Sequence, residues 1–289
     1  MIVSIILTTL PDGKLWAEYP SGVSEKIHAL VAEHLKGPSA QSISIGTTLG
    51  NHSIYIHGGR IDKTQRPDER TVYEIGSISK TITGTLLARA ALAKQVDLEA
   101  DIRTYLSDEY PNLVFEGEPI HVKHLLNHTS GLPRIMPHSE SDFENMSPAK
   151  AEKLNEIQAR FKDEDLLQAL HTVTLTRRPG ELLSYSNTAA RVCAIVLESA
   201  CKKSFETMLK EFFNESGMHN SWSCASSDVV GSNRSVARGH NDRGEIWPPI
   251  PCTMAAAGAM VSTAEDMLVY ARLHLDRNNA ATQLSHQST

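Results

Sequence analysis

The chain has 289 residues, 40% of them hydrophobic and 21% charged, and a formal net charge of −6. That length and balance supply enough apolar residues for a sizeable core and fit an ordinary globular enzyme. Charges of both signs are spread along the chain, which argues against a basic groove for nucleic acid. No apolar run approaches the roughly 20 residues of a membrane-spanning helix.

The opening stretch Met1 to Leu10, MIVSIILTTL, is apolar but lacks a positively charged start and a small-residue cleavage site. It reads as a short buried strand rather than a secretory signal, and leaves the compartment undetermined. Residues 24–35 place Ile27, Leu30, Val31 and Leu35 on one helical stripe, which Gly37-Pro38 stops. Residues 42–49 and 52–57 read as strands joined at Gly50-Asn51 as a hairpin. An extended stretch from Thr71 to Ile75 ends at Gly76. A helix then runs from about Ser77 to Lys94, with Ile78, Ile82, Leu86 and Ala90 on one face. After Val96-Asp97 the middle of the chain is mostly helical, with a turn at Ser130–Pro133 and a polar stretch from His138 to Glu152. Residues 189–200 are apolar-periodic, and Asp266 to Leu275 form a final helix.

Of the four cysteines, Cys193 sits in an apolar run and reads as a small core residue. The spacing of Cys201, Cys224 and Cys252 matches no zinc motif and leaves any pairing among them open. His121, His124 and His128 fall at i, i+3 and i+7, but no Glu or Cys completes a metal site. They read as surface or hydrogen-bonded histidines.

Three copies of Ser-x-x-Lys occur, beginning at Ser77, Ser147 and Ser199. Ser147 heads SPAK, a helix start with proline at its first position. Ser199 lies at the end of an apolar helix, where nothing forms a pocket. Ser77 follows a strand and a glycine and opens a long helix, so its hydroxyl lies at the positive end of the helix dipole. A serine hydroxyl needs a neighbouring base, and Lys80 lies on the same helical face, with Cβ atoms roughly 5–6 Å apart. Partial burial lowers a lysine pKa, and the Ser77 N–H is placed to meet charge developing on an attacked carbonyl. Tyr185-Ser186-Asn187 adds a phenol suited to proton transfer and a carboxamide donor. Tyr110-Pro111-Asn112 has the same spacing, but its charged neighbours Asp108 and Glu109 suggest a solvent-facing turn.

The segment Tyr73-Glu74-Ile75-Gly76-Ser77-Ile78-Ser79-Lys80-Thr81 resembles the nucleophile segment of class C β-lactamases and their carboxypeptidase and esterase relatives. Leu125–Leu132 is similar to a recurrent loop of that family, as are Pro179-Gly180 with Tyr185-Ser186-Asn187, and Ala257–Met267. The resemblance implies an α+β fold, an antiparallel sheet flanked by helices with a mostly helical second lobe. After an N-terminal segment of residues 1–20, one domain would span 21–289. Its sheet lobe would take about 21–95 and 253–289, and its helical lobe 96–252.

By the same resemblance Ser77 is the acylated nucleophile and Lys80 its activating partner. Tyr185 serves as base and then as acid toward the leaving group, and Asn187 holds the substrate amide. No metal or organic cofactor is implied, and a periplasmic or secreted location is. The family's third motif, Lys-Thr-Gly or His-x-Gly, does not follow Tyr185 in this sequence. His57-Gly58-Gly59 has those letters but precedes the nucleophile on an early strand. The fold is therefore expected to be incomplete at its C-terminal end. The expected function is a serine hydrolase or acyltransferase acting on β-lactams, D-alanyl peptides or small esters. The alternative is a non-catalytic or truncated protein that binds a peptide or partner.

Overall fold

The computed structural model describes residues 6–7, 22–49, 52–224 and 235–287. The turn expected at Gly50-Asn51 and most of the first 20 residues lie outside them. A mixed α/β architecture results, with many helices around small sheets.

Three strands form the first sheet. β2 (Ser42–Leu49) pairs antiparallel with β3 (His52–Gly59), while the two-residue β1 (Ile6–Leu7) runs parallel to Thr47-Thr48 on the other edge of β2. Helix α1 (Val23–His34) lies on this sheet through Ile27, Val31 and Leu35, a row spaced four residues apart. Leu30 lies off that row and is 56% exposed, so the predicted stripe is narrower than four residues. The glycines of His57-Gly58-Gly59 serve this packing. A methyl group at Gly58 would overlap Val31, and one at Gly59, where φ is +77°, would overlap the Gln41 carbonyl.

Strand β4 (Tyr73–Glu74) leads through a 3₁₀ turn, Gly76–Ile78, into α2 (Ser79–Leu92). The hairpin of β5 (Val114–Phe115) and β6 (Glu118–Pro119) precedes α3 (Val122–Leu126). Then follow α4 (Pro148–Arg160), α5 (Asp163–Leu170), α6 (Asn187–Cys201) and α7 (Phe205–Ser216). β7 (Val261–Ser262) returns to pair antiparallel with β4, and α8 (Ala264–Leu275) follows. A further helix, α9 (Ala280–Ser285), comes after the helix expected to be last. Its signal is a cap alone, Asn279 Oδ1 accepting the Thr282 N–H, over too few residues for a periodic pattern.

The main core joins α2, α3, α5, α6, α7 and α8 through Ile82, Leu86, Leu125, Leu166, Val192, Phe212 and Tyr270. The predicted face of α2 packs here, and Cys193 is fully buried among these residues. Tyr110 is not solvent-facing. It is 2% exposed and stacks on His171 at 4.4 Å, because Asp108 engages His171 Nε2 (3.0 Å) and leaves the phenyl ring to the core. Asn112 donates to the Leu170 and Val173 carbonyls, so this second Tyr-x-Asn closes the end of α5. Ser147 is the N-cap of α4, with Pro148 opening the helix. Cys224 and Cys252 form a disulfide, and Cys201 is free.

Arg191 of α6 is 3% exposed. Its Nη2 donates to Asp163 Oδ1 (2.6 Å) and to the Phe161 carbonyl (3.1 Å), joining α6 to the α4–α5 corner. The Gln158 amide, turned with its nitrogen toward Met136, donates to that carbonyl (3.1 Å) and accepts from Arg191 Nη1 (3.0 Å). Asp163 is half exposed, so the ion pair itself contributes little, whereas loss of the guanidinium strands buried acceptors. Arg191→Met is expected to lower the unfolding free energy by about 2–4 kcal/mol, and Asp163→Asn by less than about 1 kcal/mol. Equilibrium urea unfolding of the two variants checks this, and equal losses would contradict the assignment.

Candidate active site

The nucleophile candidate stands where β4 turns into α2. Gly76, with φ +54°, makes the turn, and Ser79 pins it: its Oγ donates to the Gly76 carbonyl (2.7 Å) and accepts the Met260 N–H (3.3 Å). Ser77 is exposed on the crest of this turn. Lys80, one helical turn on, is 8% exposed. Its Nζ donates to Ser77 Oγ (3.3 Å) and to the Ala257 carbonyl. These partners are neutral oxygens. Burial therefore pushes the Lys80 pKa down, with the Tyr185 phenol acting in the opposite direction.

Tyr185 comes from 108 residues further along and meets the same oxygen, with its hydroxyl 2.6 Å from Ser77 Oγ. Lys80 Nζ lies 4.7 Å from the Tyr185 ring centroid. Ser186 Oγ accepts the Ala189 N–H and so caps α6, which makes Asn187 the first residue of that helix. The Asn187 N–H donates to the Arg134 carbonyl (2.7 Å), and the residue lines the same cavity as Ser77. All four residues predicted from sequence are thus gathered at one place.

The residues 255–259 arch over α2. Two of its carbonyls are held from below, Ala257 by Lys80 and Ala256 by Thr83 Oγ1 (2.9 Å). Beside Ser77 opens a cavity of about 250 Å³ lined by Ile135, Phe143, Leu154, Ile250, Pro251 and Met254, with His138, Asn155, Gln158 and Asn187 among its polar residues. Asp, Glu, Lys and Arg are absent from its lining among the described residues. Asn155 donates to the Pro249 carbonyl (2.8 Å), and Gln158 is engaged with Met136 and Arg191, so much of the polar lining is already hydrogen-bonded. Glu74 holds this wall to β4 by accepting the Ile250 N–H (2.7 Å), and burial raises its carboxyl pKa.

The three histidines of the middle region separate. His121 and His124 sit ring to ring at 5.2 Å near Glu99 and Lys123. Burial, followed by the charges of His121 and Lys123, lowers the His124 pKa to about 4. His128 instead lies against Tyr185. Among the described residues no group of three His, Cys, Asp or Glu side chains is placed to hold a metal ion. Sequence reasoning did not find the Ala257 carbonyl, the His128 contact or the cavity wall. Phe143 lies in a stretch that reads as polar, and a backbone carbonyl has no residue signature. His128 alone carried a signal, through the Leu125–Leu132 loop.

Comparison with solved structures places this fold. A β-lactamase/D-alanine carboxypeptidase from Yersinia pestis, complexed with citrate, superposes with a TM-score of 0.71 at 21% identity, covering 90% of this chain and 73% of that one. A class C β-lactamase gives 0.72 at 20% identity, over 92% of this chain and 69% of that one. In sequence, protein flp of Staphylococcus aureus (strain N315) is 26% identical over 178 residues, 62% of this chain and 32% of its own length. A β-lactamase of Providencia stuartii is 31% identical over 115 residues, 39% of this chain and 29% of that protein. The chain thus spans about a third of the length of these curated relatives. The β-lactamase family model matches residues 27–289, and the chain belongs to the β-lactamase family.

Proposed function

We propose that the protein is a serine hydrolase that forms an acyl-enzyme on Ser77 and acts on small esters with an uncharged, apolar acyl group. The observation that carries this reading is the convergence of Tyr185 OH and Lys80 Nζ on Ser77 Oγ, at 2.6 and 3.3 Å. Ser77 Oγ attacks the substrate carbonyl carbon while its proton passes to the Tyr185 oxygen and the phenol's own proton passes to the Lys80 amine beside it. As the bond to the leaving oxygen breaks, Tyr185 returns the proton to it. Water then attacks the acyl-enzyme by the reverse route and frees Ser77. β-Lactams and D-alanyl peptides present the same acyl chemistry and are the other substrates this machinery suits. The uncharged cavity beside Ser77 favours the apolar ester among the three.

Incubation with p-nitrophenyl butyrate, and separately with a penicillin, is expected to add one acyl mass to the intact protein and none to Ser77→Ala. A modified Ser77→Ala, or a wild type that neither carries an acyl group nor hydrolyses either reagent, would refute the nucleophile assignment.

If Tyr185 protonates the leaving oxygen, Tyr185→Phe should lose about 10²–10⁴-fold in kcat/KM on an ethyl ester. The loss should be much smaller on a p-nitrophenyl ester, whose leaving group needs no proton. Equal losses on the two esters would exclude the acid role.

The cavity makes chain length a readout. From acetate upward, kcat/KM should rise about fourfold per added methylene until the space is filled. Phe143→Ala should move the maximum to longer chains. A flat series, or a preference for an acyl chain ending in a carboxylate, would overturn the assignment of an apolar acyl group.

A further inference from the structure

His128 brackets Tyr185 on three sides. Its carbonyl accepts the Ser184 N–H (2.6 Å), and its Nδ1 accepts the Ser186 N–H (3.3 Å). Between those two bonds its ring lies on the Tyr185 ring, with centroids 4.3 Å apart and planes tilted by 42°. A backbone N–H can only donate, so Nδ1 must be unprotonated, and the neutral ring carries its proton on Nε2. His128 itself has φ +58°, a left-handed conformation that few side chains adopt readily. This backbone turn brings both its carbonyl and its ring to the same three-residue segment.

We propose that His128 is a positioning residue for Tyr185, holding the phenol on Ser77 Oγ only while its imidazole is neutral. A proton on Nδ1 would replace an acceptor with a donor that faces the Ser186 N–H. It would also bring a second cation beside Lys80. Both effects push the Ser184–Ser186 segment away from Ser77, and a displacement of about 1 Å is worth about 10²-fold in rate. Among the described residues the charged or titratable groups that face His128 are Lys80 from α2 and Tyr185 from the segment leading into α6. Burial first, and the Lys80 charge second, hold the His128 pKa below its ordinary 6.5. A group with a depressed pKa stays neutral down to that lower value, so the positioning persists through neutral pH and fails only in acid.

The inference rests on the hydrolase reading for its kinetic arm alone. The first arm needs no turnover: ¹³Cζ-tyrosine NMR of the whole chain, with the Tyr185 signal assigned by its absence in Tyr185→Phe. That signal is expected to shift with a midpoint below pH 6.5. In His128→Asn the shift should vanish, because Asn Oδ1 accepts the same N–H without titrating and asparagine tolerates the left-handed backbone. In the kinetic arm, His128→Leu should lose about 10²-fold in kcat for ester hydrolysis at pH 7.5. His128→Asn should lose less and should also lose the acid limb of the rate profile. A Tyr185 signal flat in the wild type, or an acid limb retained unchanged in His128→Asn, would overturn the proposal. If Ser77 takes no acyl group while the Tyr185 signal still follows His128, the hydrolase reading fails and the positioning stands.

Discussion

The site depends on burying a lysine without a carboxylate. Desolvation disfavours an ammonium, and a buried lysine is usually tolerated because an acid lies beside it. Lys80 instead points at a serine oxygen and a backbone carbonyl. Neutral acceptors satisfy its N–H groups but do little to stabilise its charge, so burial lowers its pKa. Everything around it serves to keep those acceptors in place. Ser79, Lys80 and Thr83, three side chains within five residues of α2, bind Gly76, Met260, Ala257 and Ala256. The start of α2 thereby holds both the turn that carries Ser77 and the arch above it.

That arch is secured from its far side as well. β7 pairs with β4 immediately after it, so the strand that delivers Ser77 and the strand that leaves the arch are hydrogen-bonded neighbours. Beyond β7, Asp266 accepts the Asn220 N–H (2.6 Å) and the Ser221 hydroxyl (2.7 Å), fixing the first turn of α8 to the segment before Cys224. Glu74 reaches outward from β4 to Ile250. Ser77 is exposed, while the backbone beside it is held by Ser79, by the pairing of β4 with β7 and by Glu74.

Legibility from sequence followed the range of the interaction. The α2 face, the strands β2 and β3 and the core role of Cys193 are local or periodic, and all could be read directly. Ser77 and Lys80 share one helical turn, so their proximity was geometric from the start. Tyr185 was harder, since a bare Tyr-x-Asn occurs twice and both copies lie in loops. What separates them is the position of the ring: Tyr110 is buried against His171, and Tyr185 faces the serine. The cavity wall was not legible, because Ile135, Phe143, Leu154 and Ile250 come from four separate segments with no shared pattern. Leu30 was misplaced for a related reason. Helical periodicity marks an apolar sector, and the width of that sector is set by the partner surface.

The disulfide has a consequence for how the cavity wall is held. Cys252 directly follows Pro251, and its partner Cys224 is 28 residues away along the chain. A bridge of that span removes conformational freedom from the unfolded chain equivalent to on the order of 3–4 kcal/mol in the loop-closure model. Ile250 and Pro251, the part of the wall next to the bridge, therefore draw part of their permanence from a covalent link, independent of the contacts they make. Substitutions at Phe143 or Leu154, on other segments of the lining, can then alter the cavity's shape while Ile250 and Pro251 stay anchored beside the bridge.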